Sequence, residues 1–387
     1  MNGIHQLRPE DLVESVRLSE FAFQMTFTEQ ERAERAAKLK PEQLWGYYEN
    51  GKLAAKLTLL PLTIHIGGKK FAMGGIGGVA TWPEYRRNGY VGKLLSHSLE
   101  LMRERGQTIS TLAPFSFPFY RKYGYEAYVD FKQYEIETRL LPQDRDVPGR
   151  AERNRDIPLL NDIYEAYAGK YNGMLVRTAE WWENRVLSAN LTSVVWYDDD
   201  GKAYGYMLYD VKNRVMSIRE IVFLNEKARR GLLRFIANHD SMMDKVQLKA
   251  PVDDKLSYIL TDPRIKTEMV PYFMARIVDV EAFLKLYEFM PGPVDTWVLR
   301  VEDRTAEWNN GWYQVTVDEE GKASVERSDA SSEKGIDCSI QDLAAMFMGY
   351  QSPSFLHSIG RIRGEQSMIN ILERRIVKKT PFLSDFF

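Results

Sequence analysis

From Val79 to Tyr125 the chain reads VATWPEYRRNGYVGKLLSHSLELMRERGQTISTLAPFSFPFYRKYGY, and its punctuation alternates strand and helix signals. FAMGGIGGVAT (71–81) reads as a strand carrying four glycines, residues that in a strand often mark close approach by a ligand or another backbone. Pro83 ends that strand. Val91, Leu94, Leu95, Leu99 and Met102 then recur at helical spacing, and Gly106 supplies the stop. TISTLAP (108–114) predicts a strand, FPFYRKYGY (117–125) a short helix and EAYVDFKQYEIE (126–137) another strand. Arg86-Arg87-Asn88-Gly89-Tyr90-Val91-Gly92 falls between a strand end and a helix start. Backbone N–H groups are unpaired there and the helix dipole is positive, so the turn suits an anion, above all a pyrophosphate.

Working outward, the upstream segment WGYYENGKLAAKLTLL (45–60) is a hairpin broken at Asn50-Gly51, with LTIHI (62–66) as the next strand. SVVWYDDDGKAYGYMLYDV (193–211) repeats the hairpin with Asp200-Gly201 at its tip. After each hairpin comes a paired arginine, a glycine and an amphipathic helix: PEYRRNGYVGKLLSHSLELM (83–102) and NEKARRGLLRFIANHDSMM (225–243). This points to a degenerate internal duplication. The expected organisation is a first α/β domain over 1–140, the linker LPQDRDVPGR (141–150) and a second α/β domain over 151–290. A small α+β domain over 294–387 follows, with a turn at DEEGKAS (318–324), SIQDLAAMFMG (339–349) and a basic helix near EQSMINILERRIV (365–377).

Composition narrows the function classes. Lys plus Arg (52) nearly balances Asp plus Glu (54), so no electrostatic footprint for nucleic acid or an anionic membrane is expected. One cysteine, Cys338, excludes internal disulfides and a thiolate zinc site, and the five histidines are too scattered to suggest a metal. No apolar run reaches the roughly 18 residues of a membrane helix, and MNGIHQLRPEDL lacks the features of a signal peptide, so a cytoplasmic protein is expected. Gly75-x-Gly77-x-x-Ala80 matches a dinucleotide fingerprint only formally, because Trp82-Pro83 stands where the helix should open. Trp181-Trp182-Glu183 reads as helix packing.

The strand–RRNG–helix–strand–FYRKYGY order resembles the Gcn5-related N-acetyltransferase (GNAT) fold. That family's Gln/Arg-x-x-Gly-x-Gly/Ala loop is matched by Arg86 and Gly89, whereas Val91 takes the last small-residue position with Gly92 directly after it. Two such domains, a third resembling the sterol-carrier fold and an aromatic C-terminus together resemble the Eis (enhanced intracellular survival) family. The resemblance rests on VATWPEYRRNGYVGKLL, PFSFPFYRKYGYE and the final SDFF. It implies an acetyl-CoA-dependent N-acetyltransferase with no metal. Val79, Ala80 and Thr81 would line acetyl-CoA through the strand backbone. Arg87, Asn88, Gly89, Tyr90, Val91 and Gly92 would hold its phosphates, and Phe115 with Ser116 its pantetheine. Tyr120 would be the general acid and the α-carboxylate of Phe387 the general base. The implied acceptor is a small molecule of the polyamine or aminoglycoside kind, and the implied assembly a homohexamer.

The residues themselves leave alternatives open. Tyr120 has Tyr123 and Tyr125 as neighbours and also reads as a packed aromatic, while Asp385 is the competing carboxylate at the terminus. The tail PFLSDFF (381–387) is too apolar to leave in water, so it is expected to dock through Phe382 and Phe386. Arg229-Arg230-Gly231 is one residue shorter than its first-domain counterpart, so the second domain is expected to be a scaffold without cofactor. Competing functions are transfer of another acyl or an aminoacyl group, and a CoA-sensing or lipid-binding protein without turnover.

Overall fold

A computed structural model describes residues 2–142, 146–187, 191–328 and 335–387. Of the linker expected at 141–150, residues 143–145 lie outside the described residues. The first third supplies β1 (Gly3–Gln6), β2 (Leu44–Glu49), β3 (Lys52–Ile66), β4 (Lys69–Thr81), β5 (Ile109–Leu112) and β6 (Glu126–Glu137). Its helices are α1 (Leu12–Phe23), α2 (Glu29–Ala37), α3 (Tyr90–Glu104) and α4 (Phe117–Arg121). The middle third supplies β7 (Arg150–Arg153), β8 (Thr192–Tyr197), β9 (Ala203–Lys212), β10 (Val215–Phe223), β11 (Lys245–Pro251) and β12 (Lys266–Ile277). Its longer helices are α5 (Ile157–Ala168) and, after the short α6 (Ala179–Trp181), α7 (Glu226–Ala237). The last third holds β13 (Asp295–Glu302), β14 (Gly311–Val317), β15 (Ala323–Ser328) and β16 (Ile336–Ser339).

Turn chemistry explains the hairpins. Asn50 (φ 51°) and Gly51 (φ 77°) both adopt positive φ, as a two-residue turn between right-twisted strands requires. β3 runs on through the exposed Pro61 as one 15-residue strand, so LTIHI is its continuation. The Asp198–Lys202 and Asp318–Lys322 connections are longer, and identical in design. In each, the aspartate carboxylate accepts the lysine N–H at 2.8 Å. The glycine N–H donates back to the aspartate carbonyl, at 3.1 and 3.2 Å.

Among the described residues the first two thirds form one twelve-stranded sheet, ordered β1-β2-β3-β4-β5-β12-β6-β11-β10-β9-β8-β7. The two halves exchange their last strands. β12 of the second half lies antiparallel to β5 (Met274↔Leu112 through Ile277↔Ile109), and β6 of the first lies antiparallel to β11. β12 and β6 then pair antiparallel with each other at the centre of the sheet. The exchange gives each half a partner for a strand that would otherwise be a bare edge. Phe273, Met274, Ala275 and Ile277 on β12 are wholly buried by it. Arg276 on the same strand donates to the Tyr123 carbonyl at 2.5 Å and pairs with Asp303 of the last third.

The last third packs a four-stranded sheet, β15-β14-β13-β16, against this assembly. One apolar cluster runs through all three parts, including Ile64, Phe71, Phe273, Phe283, Trp297, Leu343 and Phe387. Asn172, wholly buried, is the polar hub between them. Its Oδ1 accepts the Gly67 N–H at 2.8 Å and its Nδ2 donates to the Met348 carbonyl at 3.0 Å. Its backbone takes part in hydrogen bonds with Thr380 and Phe382 of the tail. No helix among the described residues is long and apolar enough to cross a membrane.

The strand exchange has a direct consequence for fragments. Residues 1–140 expressed alone lack β12 and are expected to show no cooperative thermal unfolding by circular dichroism. A monomeric fragment with a sharp transition would show that β12 is dispensable.

Candidate active site

The loop before α3 is shaped as an anion cradle. Arg87 (φ 69°) and Gly89 (φ 76°) both take left-handed backbone, which turns successive N–H groups toward one side. Arg86, Arg87, Asn88 and Gly89 are exposed. Gly89 is the N-cap of α3, no side chain caps the helix, and its first turn carries no acid. A Cβ built on Gly89 would meet nothing within 4 Å, so the approach to those amides is open. Two residues of the expected loop serve differently. The Tyr90 ring is buried and stacks on Tyr47 at 4.0 Å, and a Cβ on Gly92 would strike the Tyr123 hydroxyl at 2.5 Å. Both can offer only backbone to a phosphate, as can Val91.

The second half lacks this cradle, for a reason other than a shortened loop. Arg229, Arg230 and Gly231 lie inside α7, and Gly231 makes room for the Trp196 indole. The N-cap is Asn225, whose Oδ1 accepts the Ala228 N–H at 2.9 Å and so fills the place an anion would take.

Beside the cradle the sheet splits. β4 and β5 are paired only from Met73↔Ile109 to Ile76↔Leu112, after which β4 continues to Thr81 without its neighbour. Val79, Ala80 and Thr81 lie on that continuation. The register with β3 shifts between Lys56↔Ala80 and Thr58↔Gly77, a bulge built around Gly78 at φ 58°. Across the split, Phe115 is 69% exposed, while the Ser116 hydroxyl accepts the Phe119 N–H as the cap of α4. Tyr120 on α4 is 2% exposed, with Phe115, Phe119 and Tyr125 rings around it at 5.2, 5.1 and 6.1 Å. Burial pushes its phenol well above the ordinary tyrosine range, and nearby Tyr125 adds to the effect.

The tail reaches the same strand from the opposite end of the chain. A Cβ on Gly75 would lie 2.9 Å from the Phe387 ring, and one on Gly77 3.3 Å from the Phe387 carboxyl carbon. The glycines of β4 therefore admit Phe387. Phe387 is 9% exposed and Phe382 5%, but Phe386 is 59% exposed, its ring only flanking Tyr272 and Phe273. The anchor expected of Phe386 is supplied instead by Asp385. Its carboxylate accepts the Arg177 Nε–H at 3.1 Å and the Trp181 Nε1–H at 2.8 Å, and its carbonyl accepts the Tyr272 hydroxyl at 2.9 Å. Arg177 in turn forks onto Glu220 at 2.9 and 2.6 Å. Burial alone would raise the Glu220 carboxyl, but the charge and hydrogen bonds of Arg177 hold it below the usual range.

Arg177 and Glu220 carried no motif in the sequence, and neither did Lys56; of the tryptophan pair read as helix packing, Trp182 is wholly buried while Trp181 also holds Asp385. Lys56 is 4% exposed on β3, and its ammonium donates to Ser15 Oγ at 2.9 Å and Ser19 Oγ at 2.6 Å on α1. Burial lowers it to about 8. By alternation it shares a face with Thr58, which opposes Gly77, so it borders the floor on which Phe387 rests.

Two outcomes are expected. Arg177→Met strands two buried carboxylates and should cost about 3–5 kcal/mol of stability in urea unfolding at pH 7.5. A loss below about 1 kcal/mol would mean that the cluster does not hold the tail. Lys56 is lowered in the folded chain, so the unfolded chain binds the extra proton and stability rises with pH from about 8 toward the ordinary lysine range. Lys56→Met should therefore melt higher than the parent at pH 7, with the gap narrowing by pH 9.5. A constant gap would contradict this.

Comparison with known proteins bears on the domain order. Acetyltransferase (GNAT) domain families match residues 3–128 and 173–277, and a sterol carrier protein domain matches 280–384. An uncharacterized N-acetyltransferase of Streptomyces avermitilis is 24% identical over 370 residues, covering 88% of this chain and 86% of its own. A conserved protein of unknown function from Enterococcus faecalis V583 superposes with a TM-score of 0.93 at 29% identity, over 100% of both chains. Eis1 from Mycobacterium abscessus shares the fold at 20% identity, with a TM-score of 0.81 over 99% of this chain and 100% of its own. The chain carries two tandem GNAT domains and a C-terminal sterol carrier protein domain, and it is an N-acetyltransferase.

Proposed function

We propose that the chain is an Eis-like N-acetyltransferase that uses acetyl-CoA in its first half only. The observation that carries this reading is the placement of the Phe387 carboxyl against Gly77, where β4 has parted from β5. The residues fit the cosubstrate: uncapped amides at Gly89 suit a pyrophosphate, and the free side of Val79–Thr81 suits the amides of a pantetheine. Acetyl-CoA supplies the activated acyl group.

In this reading the Phe387 carboxylate takes the proton of the incoming amine, whose nitrogen must be unprotonated to attack. Asp385 is a poor candidate for that task because Arg177 and Trp181 occupy its oxygens. Tyr120 donates its hydroxyl proton to the departing sulfur. Its raised affinity for the proton keeps it neutral, and so a donor, throughout the working range. A cysteine relay is disfavoured, since Cys338 is buried in the last third and burial pushes its thiol up. The proposed acceptor is a primary amine of the polyamine or aminoglycoside kind. The proposed assembly is a hexamer, which would cover exposed apolar side chains such as Phe355 and Ile359.

Free-thiol release from acetyl-CoA over an amine panel separates transfer from simple CoA binding. Tyr120→Phe should lower kcat by roughly 10²- to 10⁴-fold with acetyl-CoA affinity retained. Unchanged turnover would reduce Tyr120 to a packed aromatic. Gly89→Asp should raise the KM for acetyl-CoA strongly, and calorimetry should find one CoA per chain. Two per chain would contradict a single cradle.

A further inference from the structure

Tyr120 rides on α4, a helix of five residues, and so short a helix is marginal without support from its surroundings. The ring is set by Phe115, Phe119 and Tyr125, while the hydroxyl has no hydrogen-bond partner among the described residues. Where that hydroxyl sits is therefore decided by where the backbone of α4 sits. At its N-terminus the helix is capped from within the first half, by Ser116.

The other end is held from outside the first half. The last carbonyls of a helix find no partner in the helix itself. At and just beyond the end of α4, successive carbonyls instead take side-chain donors. Gln341 Nε2 donates to the Arg121 carbonyl at 2.9 Å, Thr305 Oγ1 to that of Lys122 at 3.4 Å and Arg276 Nη1 to that of Tyr123 at 2.5 Å. Arg276 belongs to the exchanged strand β12, whereas Thr305 follows β13 and Gln341 lies on the helix Ile340–Phe347 of the last third. Gly124, at φ 82°, leaves the guanidinium room, since a Cβ there would strike Arg276 Nη1. Arg276 is wholly buried, and its other terminal nitrogen is tied to Asp303. Asp303 is fixed in turn by Asn309 Nδ2 and by the N–H groups of Thr305 and Ala306, each at 3.0 Å.

The second half offers a comparison. There α8 (Leu256–Ile259) follows β11 as α4 follows β5. Among the described residues no side chain donates to the carbonyls of Tyr258, Ile259 or Leu260 at its end. The brace thus belongs to the half that carries the anion cradle.

We propose that Arg276 and Gln341 are positioning residues for Tyr120, fixing the end of α4 so that its hydroxyl is held in place for proton donation. This rests on the acid role proposed for Tyr120. In it the last third locates both ends of the proton path, the base through the tail and the acid through α4.

The test is a double-mutant cycle on kcat in the full chain. Arg276→Lys keeps a charge opposite Asp303 but gives up the forked second arm that reaches Tyr123. It should lower kcat roughly tenfold, and Gln341→Ala roughly threefold, by misplacing the acid. In a Tyr120→Phe background neither should lower kcat further, because the group they place is gone. A merely structural role would give the same loss in both backgrounds, and that result overturns the proposal, as does undiminished kcat in both single variants. Normal turnover in Tyr120→Phe alone removes the acid and the proposal together, so a failed acid is told apart from a failed brace. Should Arg276→Lys not fold, Gln341→Ala, at a half-buried position, decides.

Discussion

A guanidinium withdrawn from water costs several kcal/mol unless its donors and charge are met inside the protein. Arg177 is 6% exposed, stacked over Tyr164 at 3.8 Å and Trp182 at 4.6 Å, so its site tolerates no loose partner. Two carboxylates meet it, one from β10 and one from the C-terminal tail. The cluster then carries one negative charge in excess, which the Tyr206 hydroxyl and the Trp181 indole N–H stabilise by hydrogen bonds to Glu220 and Asp385. This balance fixes the last residues of the chain to the second half of the sheet. The terminal Phe387 is thereby delivered to the glycine floor of the first half.

The three parts of the molecule are consequently interdependent. The exchange of β6 and β12 makes each half of the sheet incomplete without the other, and Asn172 ties both to the last third and to the tail. The second half thus supplies a strand, the tail anchor and a face against which the terminus packs. It has no phosphate cradle, since Asn225 caps α7, and these structural tasks are its part in the proposed chemistry.

The parts legible in the sequence were those with a local cause. Asn50-Gly51 and the spacing from Val91 to Met102 specify a turn and a helix within a few residues, and both are where they were expected. The glycines of β4 announced a close approach, although the visitor is the chain's own terminus. What could not be read has a long-range cause. Arg177 and Asp385 are 208 residues apart, and an isolated arginine before a tryptophan pair carries no sign of its partner. Of the exchanged pair, β6 read as an ordinary strand and β12 was not read, because a strand's sequence records its burial but not its neighbour. The second Arg-Arg-Gly misled for a related reason. Its likeness to the first was in letters, whereas Asn225 three residues before Ala228 was the capping signal that placed the helix start.

In the proposed chemistry the tail is a delivery arm that sets the carboxyl of Phe387 beside Gly77. Adding one glycine after Phe387 keeps every side chain of the arm but moves the carboxyl by about 3.5 Å. The kcat for amine acetylation is expected to fall roughly 10²-fold or more, with acetyl-CoA affinity and Tm unchanged, because proton transfer needs hydrogen-bond reach. Normal turnover in the extended chain, together with an inactive but folded Asp385→Asn variant, would contradict it and move the base to Asp385.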